Sequence, residues 1–294
     1  MKHCFLLVTI LTITRAEWID IDWSKVKPIE AFDHYWARLP AEWQFLRHQI
    51  PNQRITNGRE AAPGQFPYQV ALLSQYAEST ALCGGSILTS NYVLTAAHCV
   101  QDALGGTAIL GAHNRMANED SQQRIGFGMS GITLHSEYSP TNLRNDIAVV
   151  QLNNPIEFNE RVQPVILPTA TDNRTFSGMT GTVSGFGVTS DGSQTASNVV
   201  RFTANPIITH ATCLETWGSN SSVIQEQNMC LSGAGGRSTC SGDSGSPLTV
   251  VSDTTLQVGI ASFTSPLGCT IGLPSVFARI SFFREWILGN SDYS

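Results

Sequence analysis

Ser241-Gly242-Asp243-Ser244-Gly245-Ser246-Pro247-Leu248, read with Thr95-Ala96-Ala97-His98-Cys99 and Asn145-Asp146-Ile147-Ala148, decides the fold of this 294-residue chain. The three stretches supply a hydroxyl, an imidazole and a carboxylate. A serine hydroxyl is a weak nucleophile at neutral pH, so acyl transfer from it needs a base to take its proton and a carboxylate to orient that base. Ser244, His98 and Asp146 are the candidates for those three tasks. Any one of them alone reads as an ordinary structural residue; three matched local contexts together carry the assignment.

The chain order histidine, aspartate, serine separates this arrangement from solutions that place aspartate or serine first. With these motifs the chain resembles the chymotrypsin-fold (trypsin-like) serine peptidase family. Ser246 in place of the usual glycine of that run, and Ser184-Gly185-Phe186-Gly187 where Gly-Trp-Gly is common, make it most similar to arthropod chymotrypsins and brachyurin-type collagenolytic proteases. The resemblance covers residues 55 to 294. It implies an all-β fold of two packed six-stranded β-barrels, the first ending near residue 165, with the site in the cleft between them and a C-terminal α-helix. Short β-branched runs at Val70 to Leu73, Ser86 to Leu94, Ile147 to Leu152 and Leu256 to Phe263 suit such strands. A helix is expected from about Ser281 to Leu288 with Phe282, Trp286 and Ile287 inward. The resemblance also implies an oxyanion hole made by the N–H groups of Gly242 and Ser244, and pairing of substrate backbone at Ser262.

The chain begins with a basic start, an apolar run from Cys4 to Ile13 and the small-residue pattern Thr14-Arg15-Ala16, so residues 1–16 read as a secretory signal. That run is half of the about 20 apolar residues a membrane span needs. Residues 17–54 differ in character: they hold four of the six tryptophans, Trp18, Trp23, Trp36 and Trp43, and no cysteine. They read as an activation propeptide ending at Gln53-Arg54-Ile55. By the resemblance, a trypsin-like enzyme cuts after Arg54, and the new Ile55 ammonium folds inward to pair with Asp243, the oxyanion hole being unformed before the cut. The spacing of Phe32, Tyr35, Trp36 and Leu39 predicts an apolar face on a short helix that ends near Pro40 and covers the proenzyme surface.

Cys4 leaves with the signal, so six cysteines remain, an even set that allows 15 disulfide pairings in an exported protein. No Cys-x-x-Cys pair suggests zinc. The resemblance selects Cys83 with Cys99, Cys213 with Cys230 and Cys240 with Cys269. Asn173 and Asn220 head glycosylation acceptor triplets. Residues 55–294 carry ten arginines, no lysine and 17 acidic groups, a formal charge of −7 that would repel a phosphate backbone. Ala112 stands where relatives place a calcium-loop glutamate, and no metal or other cofactor is expected. His113, His135 and His210 read as surface or structural residues. The expected partners are protein or peptide substrates, an activating trypsin-like protease and protein protease inhibitors; a secreted monomer is expected, with neither nucleic acid nor membrane as partner.

By the same resemblance Ser238 lies at the floor of the substrate pocket, Ser275 on a wall and Thr264 at the entrance. None carries charge, so an arginine or lysine side chain would be buried unpaired. The expected preference is chymotrypsin-like, for Phe, Tyr or Leu. Threonine at the entrance keeps an elastase-like taste for smaller apolar residues open. A protease-fold secreted binding protein without catalysis is the alternative of a different class, and the intact Ser-His-Asp set argues against it.

Overall fold

The computed structural model describes residues 18–46, 58–191, 193, 195–218 and 222–294. Among the described residues before 58 are β1 (Val26–Pro28), flanked by 3-10 turns at Trp23–Lys25 and Ile29–Ala31, then α1 (Asp33–Trp36) and α2 (Ala41–Leu46). The first half of the remainder holds β2 (Arg59–Glu60), β3 (Gln69–Gln75), β4 (Thr80–Ile87), β5 (Tyr92–Thr95), β6 (Gly105–Leu110), β7 (Gln123–Gly128), β8 (Ile132–Leu134) and β9 (Ala148–Gln151). The second holds β10 (Thr180–Gly185), β11 (Arg201–Ile208), α3 (His210–Trp217), β12 (Asn228–Leu231), β13 (Pro247–Val251), β14 (Thr255–Phe263), β15 (Ser275–Arg279) and α4 (Ile280–Asn290).

Each half curls into a barrel of six strands. In the first, the order is β7-β6-β3-β4-β5-β9-β8, and a single 3-10 turn at Met129–Gly131 separates β7 from β8, so these two are halves of one strand that closes the ring. In the second, β10-β13-β14-β15-β12-β11 closes through β10 pairing with β11, and β2 extends the edge of β11. Closure leaves few free edges, which is how antiparallel β structure avoids pairing with other chains. The expected strand from Ser86 to Leu94 is instead two, because residues 88–91 turn and let β4 pair with β5.

The two faces of β3 have different covers. Val70 and Leu72 join the interior of the first barrel, while Ala71 and Leu73, with Leu82 and Ile109, face outward against Phe186 and Val200 from the second half. Side chains alternate along a strand, so apolar residues at every position require cover on both sides. Part of the outer cover is the N-terminal segment: Ile21, Trp23 and Val26 pack on that face, and β1 pairs in parallel with β4, Val26 opposite Thr80. The second barrel encloses Val183, Met229, Leu248, Val258 and Phe277. At the chain end α4 buries Ile280, Phe283 and Ile287, an i, i+3, i+7 stripe. Phe282, expected inward, is 55% exposed; the helix begins with Ile280 buried, which turns Phe283 inward instead.

Disulfides join Cys83 to Cys99, Cys213 to Cys230 and Cys240 to Cys269. At the cleft, Gly84 N–H donates to the Ser244 carbonyl at 2.7 Å. A Cβ at residue 84 would collide with Ser246 Oγ and lie 2.9 Å from Ser246 Cα, so the strand approaches the serine loop as only glycine allows. Gly84→Ala is expected to lower stability by about 1–3 kcal/mol through overpacking. Gly289→Ala, in open space near the end of α4, should leave stability unchanged or slightly raised. Paired thermal denaturation curves check the contrast.

Candidate active site

His98 sits in the one-turn segment Ala97–Cys99 that follows β5, and Asp146 lies just before β9. The His98 Nδ1–H donates to Asp146 Oδ2 at 2.8 Å, and the His98 backbone N–H donates to Oδ1 at 3.0 Å. From the second barrel, Ser262 Oγ donates to the same Oδ2 at 2.6 Å. With its oxygens engaged by donors, Asp146 selects the tautomer that leaves His98 Nε2 toward the cleft. Burial would raise the Asp146 carboxyl, but the His98 charge and these hydrogen bonds outweigh it and hold it below the usual carboxylate range. Burial likewise opposes the charged form of His98, yet Asp146 and a second carboxylate, Glu30, keep the imidazole above its ordinary value. The Ser262–Asp146 bond is an addition to the backbone-pairing task expected of Ser262.

Ser244 stands on the loop between Ser241 and β13, where Gly242 (φ +91°) and Gly245 (φ +83°) take left-handed conformations that favour glycine. Asp243 turns away from the cleft and accepts N–H groups from Gly187 at 2.8 Å and Cys240 at 3.0 Å. It has no cationic partner among the described residues. Burial, reinforced by the Glu30 charge and only partly offset by those two N–H groups, pushes its carboxyl up to about 6. A cavity lined by Gly58, Gly187, Phe202 and Thr203 opens beside it.

The residue that sequence reasoning missed is Glu30. Its Oε1 accepts the Ser244 hydroxyl at 2.6 Å and its Oε2 accepts the Gly242 N–H at 2.9 Å. A hydroxyl has one proton to donate, so Ser244 gives it to Glu30 and not to His98. The Gly242 N–H is therefore aimed into the cleft, at the Glu30 carboxylate. Burial raises the Glu30 carboxyl above its ordinary value, partly offset by the Ser244 hydrogen bond and the His98 charge. Trp36 Nε1–H donates to the Glu30 carbonyl at 2.7 Å, and the Tyr35 ring lies 5.5 Å from that of His98. The expected helix is shorter than its stripe, with Tyr35 and Trp36 in α1 and Phe32 and Leu39 just outside it; it ends before Pro40, which leads into a second helix, α2, and the stripe covers the cleft itself.

In the pocket, Ser238 Oγ donates to the Thr239 carbonyl at 2.9 Å and lies 2.7 Å from Ser275 Oγ and 3.1 Å from Thr264 Oγ1. Thr264, expected at the entrance, thus reaches the floor residue, and the three hydroxyls draw together. Beside them a cavity of about 90 Å³ is bounded by the Cys240–Cys269 wall, Phe263, Glu30 and Trp43. Asp191 accepts the Cys269 N–H at 2.7 Å and steadies that wall. Ser238, expected at the floor of that space, instead lines the neighbouring cavity beside Asp243, together with Arg201, while Thr264 lines the first.

Arg54, Ile55 and Asn220, like residues 1–16, lie outside the described residues; Asn173 is exposed. His113 Nε2 meets Glu60 at 3.1 Å and His135 packs against Phe283 and Trp286, both away from the cleft. The Glu119 carboxylate accepts the N–H groups of His113 and Asn114 and so closes the loop that contains Ala112. Two groupings have the proximity of metal ligands, Cys83–His98–Cys99 and Asp191–Cys240–Cys269, but their cysteines are disulfide-bonded and offer no thiolate. Among the described residues no helix is long and apolar enough to cross a membrane.

The family described as Trypsin matches residues 55–287. The chain is 39% identical over 244 residues to a chymotrypsin of Phaedon cochleariae, covering 83% of this chain and 84% of that one. It is 35% identical to a brachyurin of Leptuca pugilator, over 79% of this chain and 96% of that one. A solved structure titled as HL collagenase superposes with a TM-score of 0.73 at 33% identity, covering 82% of this chain and 100% of that one. With two closed barrels, and histidine, aspartate and serine meeting in the cleft between them, the chain belongs to the trypsin family and is a serine peptidase of the chymotrypsin type.

Proposed function

We propose that this chain is the zymogen of a secreted endopeptidase that cleaves peptide bonds after apolar residues, with residues 1–16 a signal peptide, 17–54 an activation propeptide and 55–294 the peptidase. The observation that carries the reading is the carboxylate held jointly by Ser244 Oγ and the Gly242 N–H, with His98 and Asp146 behind it. A site that grips an oxygen anion beside a serine hydroxyl is built for the tetrahedral oxyanion of acyl transfer.

Once Glu30 leaves, Ser244 Oγ attacks the substrate carbonyl carbon as its proton passes to His98 Nε2. The carbonyl oxygen takes up negative charge and receives the N–H groups of Gly242 and Ser244, each such donor lowering the barrier by about 2.7–4 kcal/mol. Collapse expels the amine with the proton from His98 and leaves an acyl-Ser244 ester. Water, deprotonated by His98, then attacks the ester and releases the acid and Ser244. Asp146 stabilises the imidazolium through both stages and is not itself protonated. Activation by a trypsin-like cut after Arg54 delivers the Ile55 ammonium to the buried, cation-free Asp243. The neutral hydroxyls of Ser238, Ser275 and Thr264 suit an apolar side chain, with a chymotrypsin-like preference for Phe, Tyr or Leu. Protein protease inhibitors are expected partners, and the enzyme is expected to act as a monomer.

A fluorophosphonate should label the activated protein at Ser244, and Ser244→Ala should abolish both label and peptide hydrolysis; hydrolysis that survives this substitution would overturn the mechanism.

Asp243 makes a pH-dependent prediction. Its carboxyl stands at about 6 in the uncut chain against an ordinary 3.8, so the stability tied to its protonated form is complete below the ordinary value and lost as pH rises through about 6. Asp243→Asn should therefore stabilise the uncut chain at pH 8 by up to about 3 kcal/mol, and add nothing at pH 3. After cleavage the same variant should be at least about a hundredfold less active, since the Ile55 ammonium then has no carboxylate. Denaturant unfolding at the two pH values and kcat/KM after cleavage read the two halves.

Thr264→Gly removes the side chain that reaches Ser238. Cleavage after Phe and Tyr should rise relative to cleavage after Ala by roughly 10- to 200-fold, the range for one steric change in a hydrophobic pocket. A peptide-library profile of both enzymes measures that ratio and the parent preference together.

A further inference from the structure

We propose that residues 18–46 form an inhibitor of the mature enzyme, anchored by Glu30 as an oxyanion mimic, so that cleavage after Arg54 yields a noncovalent complex whose active site is still masked. The inference rests on the peptidase reading of Ser244 and on the cut after Arg54. A carboxylate is the group that peptide hydrolysis leaves on the acyl product. Glu30 presents one to the cleft from a side chain, with one oxygen on the nucleophile and the other on an oxyanion donor. The backbone at this point offers Ser244 no peptide carbonyl, and the carbon it does face is that of a carboxylate, which resists attack. The segment therefore blocks the site without being a substrate for it.

The grip extends to both sides of Glu30. Upstream, β1 pairs with β4 and Trp23 lies over the Arg115 guanidinium at 4.9 Å from the ring centroid. Trp18 lies 4.1 Å over Arg124, whose Nη1 also donates to the Ile19 carbonyl at 2.8 Å. Downstream, Trp43 stacks on Trp217 with centroids 5.9 Å apart and meets the edge of Phe263 at 5.5 Å. Tyr35, Trp36 and Leu39 between them are buried. Aromatic rings that exclude water around a charge-assisted hydrogen bond are the arrangement of an interface hot spot. None of these contacts passes through the Arg54–Ile55 bond, and residues 17–54 contain no cysteine, so the cut neither breaks the grip nor leaves a covalent tether. Trp23 covers the apolar outer face of β3 and β4, and Tyr35, Trp36 and Trp43 cover the cleft.

The test starts from full-length proenzyme cut only after Arg54, with an intact propeptide verified by mass spectrometry. At micromolar concentration the cut protein should hydrolyse a small ester at least about tenfold more slowly than residues 55–294 separated from the same preparation. Dilution should restore the rate, and adding the released propeptide back should lower it again. The propeptide carrying Glu30→Gln should bind the separated enzyme at least about tenfold more weakly by calorimetry, and Trp43→Ala should also weaken it. Because these variants are added as peptides to an unchanged mature chain, a failure to fold cannot mimic the effect. Full activity of the cut protein beside an intact propeptide, or equal binding of the Glu30→Gln peptide, would overturn the proposal. Calorimetry reads binding whether or not the enzyme turns over, so a mature chain that binds propeptide but hydrolyses nothing would sink the peptidase reading and leave this one standing.

Discussion

Burying a carboxylate charge costs far more than any single contact in this molecule can repay unless donors or a cation surround it. Three carboxylates meet that constraint around one cleft, each in a different way. Asp146 is fully provided for by His98 and Ser262, and it ties the first barrel to the second at the site. Asp243 has two backbone N–H groups and no cation among the described residues. Glu30 has the Ser244 hydroxyl, the Gly242 N–H and the nearby imidazole of His98. Two of the three are raised above the ordinary carboxylate range, and the Glu30 charge contributes to raising Asp243. Asp243 and Glu30 are thus the two buried carboxyls least provided for. In the proposed activation a new ammonium reaches Asp243 at the cut, and Glu30 returns to water only when residues 18–46 later dissociate.

Packing explains how the N-terminal segment is held over the site. The outer face of β3, β4 and β6 is apolar, and the N-terminal segment shares with the second barrel the task of covering it. The aromatic residues of α1 and α2 carry that cover across the cleft to Trp217 and Phe263. Burial of these rings supplies free energy that is spread over many contacts, and the Glu30 hydrogen bonds give it a fixed register on the nucleophile.

Much of the molecule was legible in its sequence for a physical reason: local chemistry at Ser244, His98 and Asp146 demands particular neighbours, and strand periodicity marks the barrels. The reading failed where tertiary contacts decide. Thr89-Ser90-Asn91 interrupts the apolar run from Ser86 to Leu94 and marks the turn between β4 and β5, a polar break that the reading of one strand passed over. In α4 the register was shifted by one residue because Phe282 and Phe283 are adjacent and only the buried Ile280 start distinguishes them. Thr264 was placed at a pocket mouth by analogy, whereas its hydroxyl meets Ser238. Glu30 was invisible for a deeper reason: it is one of six acidic residues in residues 17–54, and nothing in its local sequence shows which of them crosses 214 positions to reach the nucleophile.

The most direct measurement is a crystal structure of the full-length chain with Ser244, His98 and Asp146 intact. The account predicts density for the Glu30 carboxylate bridging Ser244 Oγ and the Gly242 N–H, with Ser244 turned from His98. A structure with Glu30 in solvent and Ser244 hydrogen-bonded to His98 Nε2 would contradict it.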